Sequence, residues 1–202
     1  MKHTVISIGR QFGSGGHEIA IHLGKLLSLP VYDDEMISIA CGIGDVREEI
    51  LRPEDEKPVN PLLFRTMHEG NEKVKRGDPA GKVLFELQSM AIRHLAKEND
   101  CIIVGRCADF VLEKEDVNVI SVFVKAPLEA RIERKMKLES MPYAKVKKQV
   151  EKKDRQRQKY YESHTGRIWG EEGTYDLVID TGNVSLEDAA DLIAQRFRSV
   201  KG

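Results

Sequence analysis

Short apolar runs alternate with amphipathic stretches along the chain, and the alternation predicts strands separated by helices. Thr4-Val5-Ile6-Ser7-Ile8 is a β-branched run that ends at a glycine-rich loop, Gly9 to Gly16, and reads as a buried strand meeting a turn. Ile19, Leu23, Leu26 and Leu27 then fall on one helical stripe, which Pro30 stops before a second short strand at Val31-Tyr32. From about Asp33 to Ala80 there is no strand pattern, and Pro53, Pro58, Pro61 and Pro79 are spread among many charges, so this stretch predicts a helical insert with loops. Val83, Leu84, Leu87, Met90, Ala91 and Leu95 have helical spacing and lead into a continuous apolar run, Cys101-Ile102-Ile103-Val104, the third strand. Val117 to Val124 predicts a fourth strand, and Pro127, a favoured first-turn residue, opens a helix carrying Leu128 and Ile132. Leu177-Val178-Ile179 predicts a fifth strand; Ser185, with Asp188 three residues on, begins a last helix whose Leu186, Ala190, Ile193 and Phe197 form a stripe. Five such strands predict a parallel, three-layer α/β domain, because parallel strands need crossover connections and are covered on both faces.

Composition narrows the partners. The 202 residues carry 32 Lys+Arg against 33 Asp+Glu, a net charge of -1, so there is no whole-molecule attraction to nucleic acid or anionic lipid. The distribution is uneven: twelve Lys/Arg stand against four acids between Arg131 and Lys159, and seven acids with no Lys or Arg lie between Glu171 and Asp191. The basic run reads either as a solvated helix face or as an anion site. Tyr143 is its one aromatic before Tyr160-Tyr161, so stable nucleic-acid binding is not expected. Cys41, Cys101 and Cys107 are odd in number and have no metal-ligand spacing, and with no apolar leader they point to the cytoplasm. Cys101 and Cys107 read as small buried hydrophobes. No apolar stretch approaches the roughly 18 residues of a membrane span.

In a doubly wound sheet, ligands bind at the carboxyl ends of the strands. There, Gly13-Ser14-Gly15-Gly16 joins a strand to a helix, so backbone N–H groups can turn toward a phosphate with no Cβ in the way; such a loop also serves as a purely structural turn. Against a Walker A loop, Gly16 falls at the expected lysine and Arg10 at the first glycine, which leaves Arg10 or His17 to replace the missing charge. Gly105-Arg106-Cys107-Ala108-Asp109 puts an arginine after the third strand, Arg131 and Arg134 share a helix face, and Asp154-Arg155-Gln156-Arg157 adds two more arginines. Asp33 and Asp34 follow the second strand as candidates for Mg²⁺ or acceptor hydroxyls, or as a helix N-cap pair.

The stretch Ile6-Ser7-Ile8-Gly9-Arg10-Gln11-Phe12-Gly13-Ser14-Gly15-Gly16-His17-Glu18-Ile19-Ala20 resembles the opening of the cytidylate kinase-like family of nucleoside monophosphate kinases. The resemblance continues through Pro30 to Glu35, Val104 to Ala108, Ala126 to Arg131, Asp154 to Arg157 and Asp176 to Thr181. It implies a single P-loop NTPase domain with a core over about 1–34, 81–140 and 174–202, a helical monophosphate-binding insert over about 35–80 and a basic helical lid over about 141–173. It further implies ATP and Mg²⁺ as cofactors, Gly13, Ser14, Gly15, Gly16 and His17 at the ATP phosphates, and Arg106 at the acceptor phosphate beside Asp33 and Asp109. By the same resemblance Arg131 stands near the transferring phosphate and Arg155 and Arg157 belong to the lid; with Arg10 they form the expected catalytic set. The chain departs from true cytidylate kinases in having Gly16 at the lysine and Glu18 where a hydroxyl helps order Mg²⁺.

Two classes of function follow. The first is ATP-dependent phosphoryl transfer to a nucleoside monophosphate such as CMP or dCMP, or to another small-molecule acceptor. The second, motivated by Gly16, is a catalytically weakened nucleotide-binding protein acting as a sensor or partner module.

Overall fold

The computed structural model describes residues 2–59 and 79–202. Five strands, β1 (Thr4–Arg10), β2 (Val31–Tyr32), β3 (Cys101–Val104), β4 (Asn118–Lys125) and β5 (Leu177–Asp180), form one all-parallel sheet in the order β2-β3-β1-β4-β5. All five strands lie where the apolar runs predict them. The central strand β1 pairs along its whole length with β4, from Thr4 opposite Asn118 to Arg10 opposite Val124, which carries Arg10 to the carboxyl edge.

Helices α1 (Gly16–Leu27) and α8 (Leu186–Lys201) cover one face, where Ile6, Ile8, Val104 and Val122 pack against Ile19, Leu23, Ile193 and Phe197. The stripes read from the sequence form the buried faces except at Leu26, which is exposed, and each fully buried Ile or Leu contributes about 1.5–3 kcal/mol. Ser185 caps α8 by accepting from the Asp188 N–H at 3.0 Å. On the opposite face, α4 (Ala80–Glu98) and α5 (Ala108–Leu112) bury Val5, Cys101 and Ile103.

The predicted insert begins with α2 (Glu35–Gly44) and α3 (Glu48–Leu51), packed on α4, and a 3₁₀ turn at Arg52–Glu54; the rest of it from 60 to 78, with Pro61, lies outside the described residues. Helix α6 (Leu128–Glu139) leads into α7 (Tyr143–Thr165), the 23-residue basic helix of the predicted lid. Val146 and Val150 anchor it to Ile132, and Tyr160 and Tyr161 join a cluster with Phe123 and Tyr175 above the sheet. Cys101 and Cys107 are buried, and burial pushes the Cys101 thiol up to about 12, so both behave as small hydrophobes. Among the described residues no helix is long and apolar enough to cross a membrane.

Candidate phosphate-handling site

The loop after β1 is held in shape before any ligand arrives. The Gln11 N–H donates to Val124 O at 3.0 Å, and the Gln11 side chain accepts from the Ala126 N–H at 3.0 Å. Gly15 sits at φ +89, a left-handed conformation that costs an L residue, and a side chain there would strike Leu186. Thr181 Oγ1, just past β5, donates to Ser14 O at 2.7 Å, and Arg134 Nη1 on α6 donates to Gly13 O at 3.0 Å, so two loop carbonyls are fixed from outside the loop. Loop amides thereby stand at the N-terminus of the 12-residue α1, the arrangement that binds anions.

Arg10 crosses this loop. Its Cβ lies 2.7 Å from where a Cβ on Gly16 would stand, and its Cγ 3.1 Å. The arginine stem therefore uses the space that a residue at the lysine position would need, and carries its guanidinium on to Gly105 and Glu56. His17 does something else: its Nδ1 is 2.8 Å from Asp33 Oδ2.

Three guanidiniums converge here. Arg10 pairs with Glu56 and lies 3.5 Å from Asp33 Oδ1. Arg106, whose side chain is 1 % exposed, pairs with Asp33, donates to Val104 O at 2.8 Å, and takes Asp55 on Nη2 at 2.8 Å and Nε at 3.4 Å. Arg157 donates from Nε to Glu56 Oε2 at 2.9 Å and from Nη1 to Arg10 O at 3.4 Å. Arg106 and Cys107 both have left-handed backbones, φ 53 and 55, which turn Arg106 back under the strand ends at a cost of about 1–2 kcal/mol per residue.

The charges are matched. Burial alone raises the Glu56 carboxyl, but Arg10, then Arg157 and Arg106, overcome it and hold Glu56 well below the usual carboxylate range. Asp33 behaves the same way: burial opposes ionisation, and Arg10 and Arg106 outweigh it. Burial and the neighbouring Arg10 charge lower the Arg157 pKa. Asp109 is different: burial raises its carboxyl, which accepts from Tyr161 OH at 2.7 Å. Between these groups lies a small cavity of about 30 Å³, lined by Arg10, Glu56, Arg106, Asp109, Arg157 and Tyr175 among others.

Arg131 and Arg155 lie elsewhere. Arg131 donates from Nε to Ala126 O at 3.0 Å and from Nη1 to Phe12 O at 3.1 Å, and pairs with Asp154, which also accepts the Phe12 N–H at 2.7 Å. That arrangement braces the loop and ties it to α7. Arg155 is two residues from Arg157 on one helix, hence on the far face, and lines an open cavity of about 600 Å³ with Lys148, Lys152 and Lys159. Asp34 is exposed, 3.6 Å from Arg106, and as the first residue before α2 makes no side-chain cap. Both oxygens of Asp33 are already given to Arg106, Arg10 and His17, and among the described residues no three acidic, His or Cys side chains gather as a metal site. The carboxylates Asp55 and Glu56 are the site members that the sequence did not single out.

A model of the cytidylate kinase-like family matches residues 5–183. The cytidylate kinase of Methanopyrus kandleri is 30% identical over 108 residues, 50% of this chain and 56% of that protein, so the match spans little more than half of that relative. Among solved structures, an uncharacterized protein from Eubacterium ventriosum superposes with TM-score 0.72 at 26% identity, covering 98% of this chain and 99% of the other. The shikimate kinase of Bacteroides thetaiotaomicron, 10% identical with TM-score 0.55 over 96% and 98% of the two chains, shares the fold.

Proposed function

Because the chain belongs to the cytidylate kinase-like family, we propose that it transfers the terminal phosphoryl group of ATP to a nucleoside monophosphate, with CMP or dCMP the first acceptors to test. The observation that supports this reading is the Arg10 stem passing beside Gly16, at the position of the expected lysine, with its guanidinium grouped with those of Arg106 and Arg157 around Asp33 and Glu56.

Phosphoryl transfer asks for alignment and neutralisation of charge more than for covalent help. In the proposed mechanism the amides of Gly13 to His17 hold the nucleotide phosphates at the start of α1, and Arg10 faces the transferring group from one wall with Arg157 from the lid. Arg106 reads the acceptor phosphate, with Asp33 fixing its orientation and Asp109 beside the acceptor. A monophosphate arrives ionised, so no side chain needs to remove a proton from it. Arg131 contributes through the loop it braces. Arg155 adds positive potential at the open cavity.

Mg²⁺ would neutralise charge on the nucleotide phosphates. With Asp33 committed to arginine and histidine, the residues fit an ion carried chiefly by phosphate oxygens and water, Asp34 being the neighbouring exposed carboxylate, 3.6 Å from Arg106. The proposed setting is the cytoplasm, in keeping with three buried free cysteines, and the proposed partners are small nucleotides, with no stable nucleic-acid complex.

The second reading, a nucleotide-binding module without turnover, is favoured by one observation: Arg10, Arg106 and Arg157 are all neutralised by the chain's own carboxylates. Incubation of the protein with ATP, Mg²⁺ and a panel of monophosphates separates the two. A diphosphate product, strongest with CMP or dCMP, is expected; ATP binding with no product from any acceptor would establish the module.

A further inference from the structure

Asp55 and Glu56 follow the 3₁₀ turn at Arg52–Glu54 and enter the site from the insert. Each does what a phosphate would do. Asp55 lies across the Nε–Nη2 edge of Arg106, the fork that otherwise grips a phosphate bidentately. Glu56 gives one oxygen to Arg10 on the loop wall and the other to Arg157 on the lid wall, bridging the two guanidiniums. Its Oε1 stands over Gly105, in the space left by the absent side chain. All three nitrogens of Arg106 are occupied. The remaining cavity, about 30 Å³, is small, and the arginine donors that line it are already taken by these carboxylates.

The backbone carries a second mark. Glu56 has φ 48, a left-handed conformation that a residue with a long side chain seldom adopts. Strain of this sort persists only where the surroundings hold it, and here the two arginines do. Among the described residues the backbone holds are the Asp55 N–H to Arg52 O at 3.3 Å and the Lys57 N–H to Glu54 O at 3.2 Å, both within the turn, and the Asp55 carboxylate also accepts from Gln88 Nε2 at 2.9 Å, a bond that the Glu56 carboxylate does not share.

We propose that Asp55 and Glu56 are an internal stand-in for substrate phosphate, occupying Arg106 and the Arg10–Arg157 pair until a phosphate-bearing nucleotide displaces them. The proposal rests on the reading that these arginines bind phosphate. Polyphosphate then competes with a carboxylate for charge-assisted hydrogen bonds, and the empty site keeps its arginines neutralised.

The test uses the full chain with Mg²⁺ and the β,γ-imido analogue of ATP, read by calorimetry and by fluorescence of Trp169, the chain's single tryptophan, which lines the same cavity. Glu56→Gln keeps the shape and removes the competing charge, so it is expected to bind the analogue about tenfold more tightly than the wild type. Unchanged or weaker binding by folded Glu56→Gln overturns the proposal. Should that variant not fold, hydrogen exchange on the wild type decides: the amides of Asp55 and Lys57 are expected to exchange faster when the analogue is added, and unchanged or slower exchange overturns it. If no monophosphate is phosphorylated but Glu56→Gln still tightens binding, the kinase reading fails and the stand-in holds. If turnover occurs while affinity and exchange are both unmoved, the stand-in fails and the kinase reading holds.

Discussion

The Cβ of Arg10 lies 2.7 Å from the point where a side chain on Gly16 would begin. The two positions are thus one unit: the glycine makes room and the arginine uses it. Gly16→Ala is expected to cost about 1–3 kcal/mol of stability in urea unfolding, as overpacking does. In an Arg10→Ala background the same substitution should cost clearly less, and equal costs in both backgrounds would refute the coupling.

The Arg10 stem passes the loop at Gly16 and carries its guanidinium to Glu56. Arg10→Ala is expected to lower kcat for the proposed transfer about 10²–10³-fold, the typical loss on removing one preorganised donor to a transition-state charge. Arg10→Lys should recover part of it. A kcat within a few-fold of wild type for Arg10→Ala would exclude Arg10 from the transferring phosphate.

Asp154 joins the lid helix to the loop by taking both the Phe12 N–H and Arg131. Asp154→Ala leaves the largely buried Arg131 without its counter-charge, and a loss of roughly 3 kcal/mol is expected in denaturant unfolding. Removing Arg131 as well should cost little more, so the double variant tests the pair as a unit.

His164 stacks on Phe85, ring centroids 3.8 Å apart, and meets Tyr160 edge-on. Burial lowers its pKa to about 4 from 6.5. The unfolded chain therefore binds a proton between these values that the folded chain does not, and stability falls as pH drops from about 6.5 toward 4. Thermal unfolding of His164→Phe should lose that part of the pH dependence; an unchanged slope would place it on other groups.

The strands and the two stripes facing the sheet were legible because each depends on local pattern: Ile6 and Ile8, or Ile19 and Leu23, declare their burial by spacing alone. The glycine loop was legible for the same reason, and so was the absence of its lysine. Where the Arg10 and His17 side chains go was not, since only the tertiary structure carries the Arg10 stem past Gly16 to Glu56 and sets His17 on Asp33.

What the sequence determined by itself is a parallel sheet with a glycine loop at the end of its first strand and a supply of arginines following in order. Which arginines meet was a tertiary decision. Arg155 and Arg157 read as a pair, yet two residues on a helix point apart, so Arg157 reaches Glu56 while Arg155 faces the open cavity. Arg131 has the spacing of a site residue and spends its donors on Phe12 and Ala126. Asp55 and Glu56 look like any surface acids; they became part of the site because the fold brings them to Arg106 and Arg157, 51 and 101 residues away in the chain. Apolar periodicity is written locally and can be read locally, whereas a buried charge is assigned its partner only when distant segments close around it.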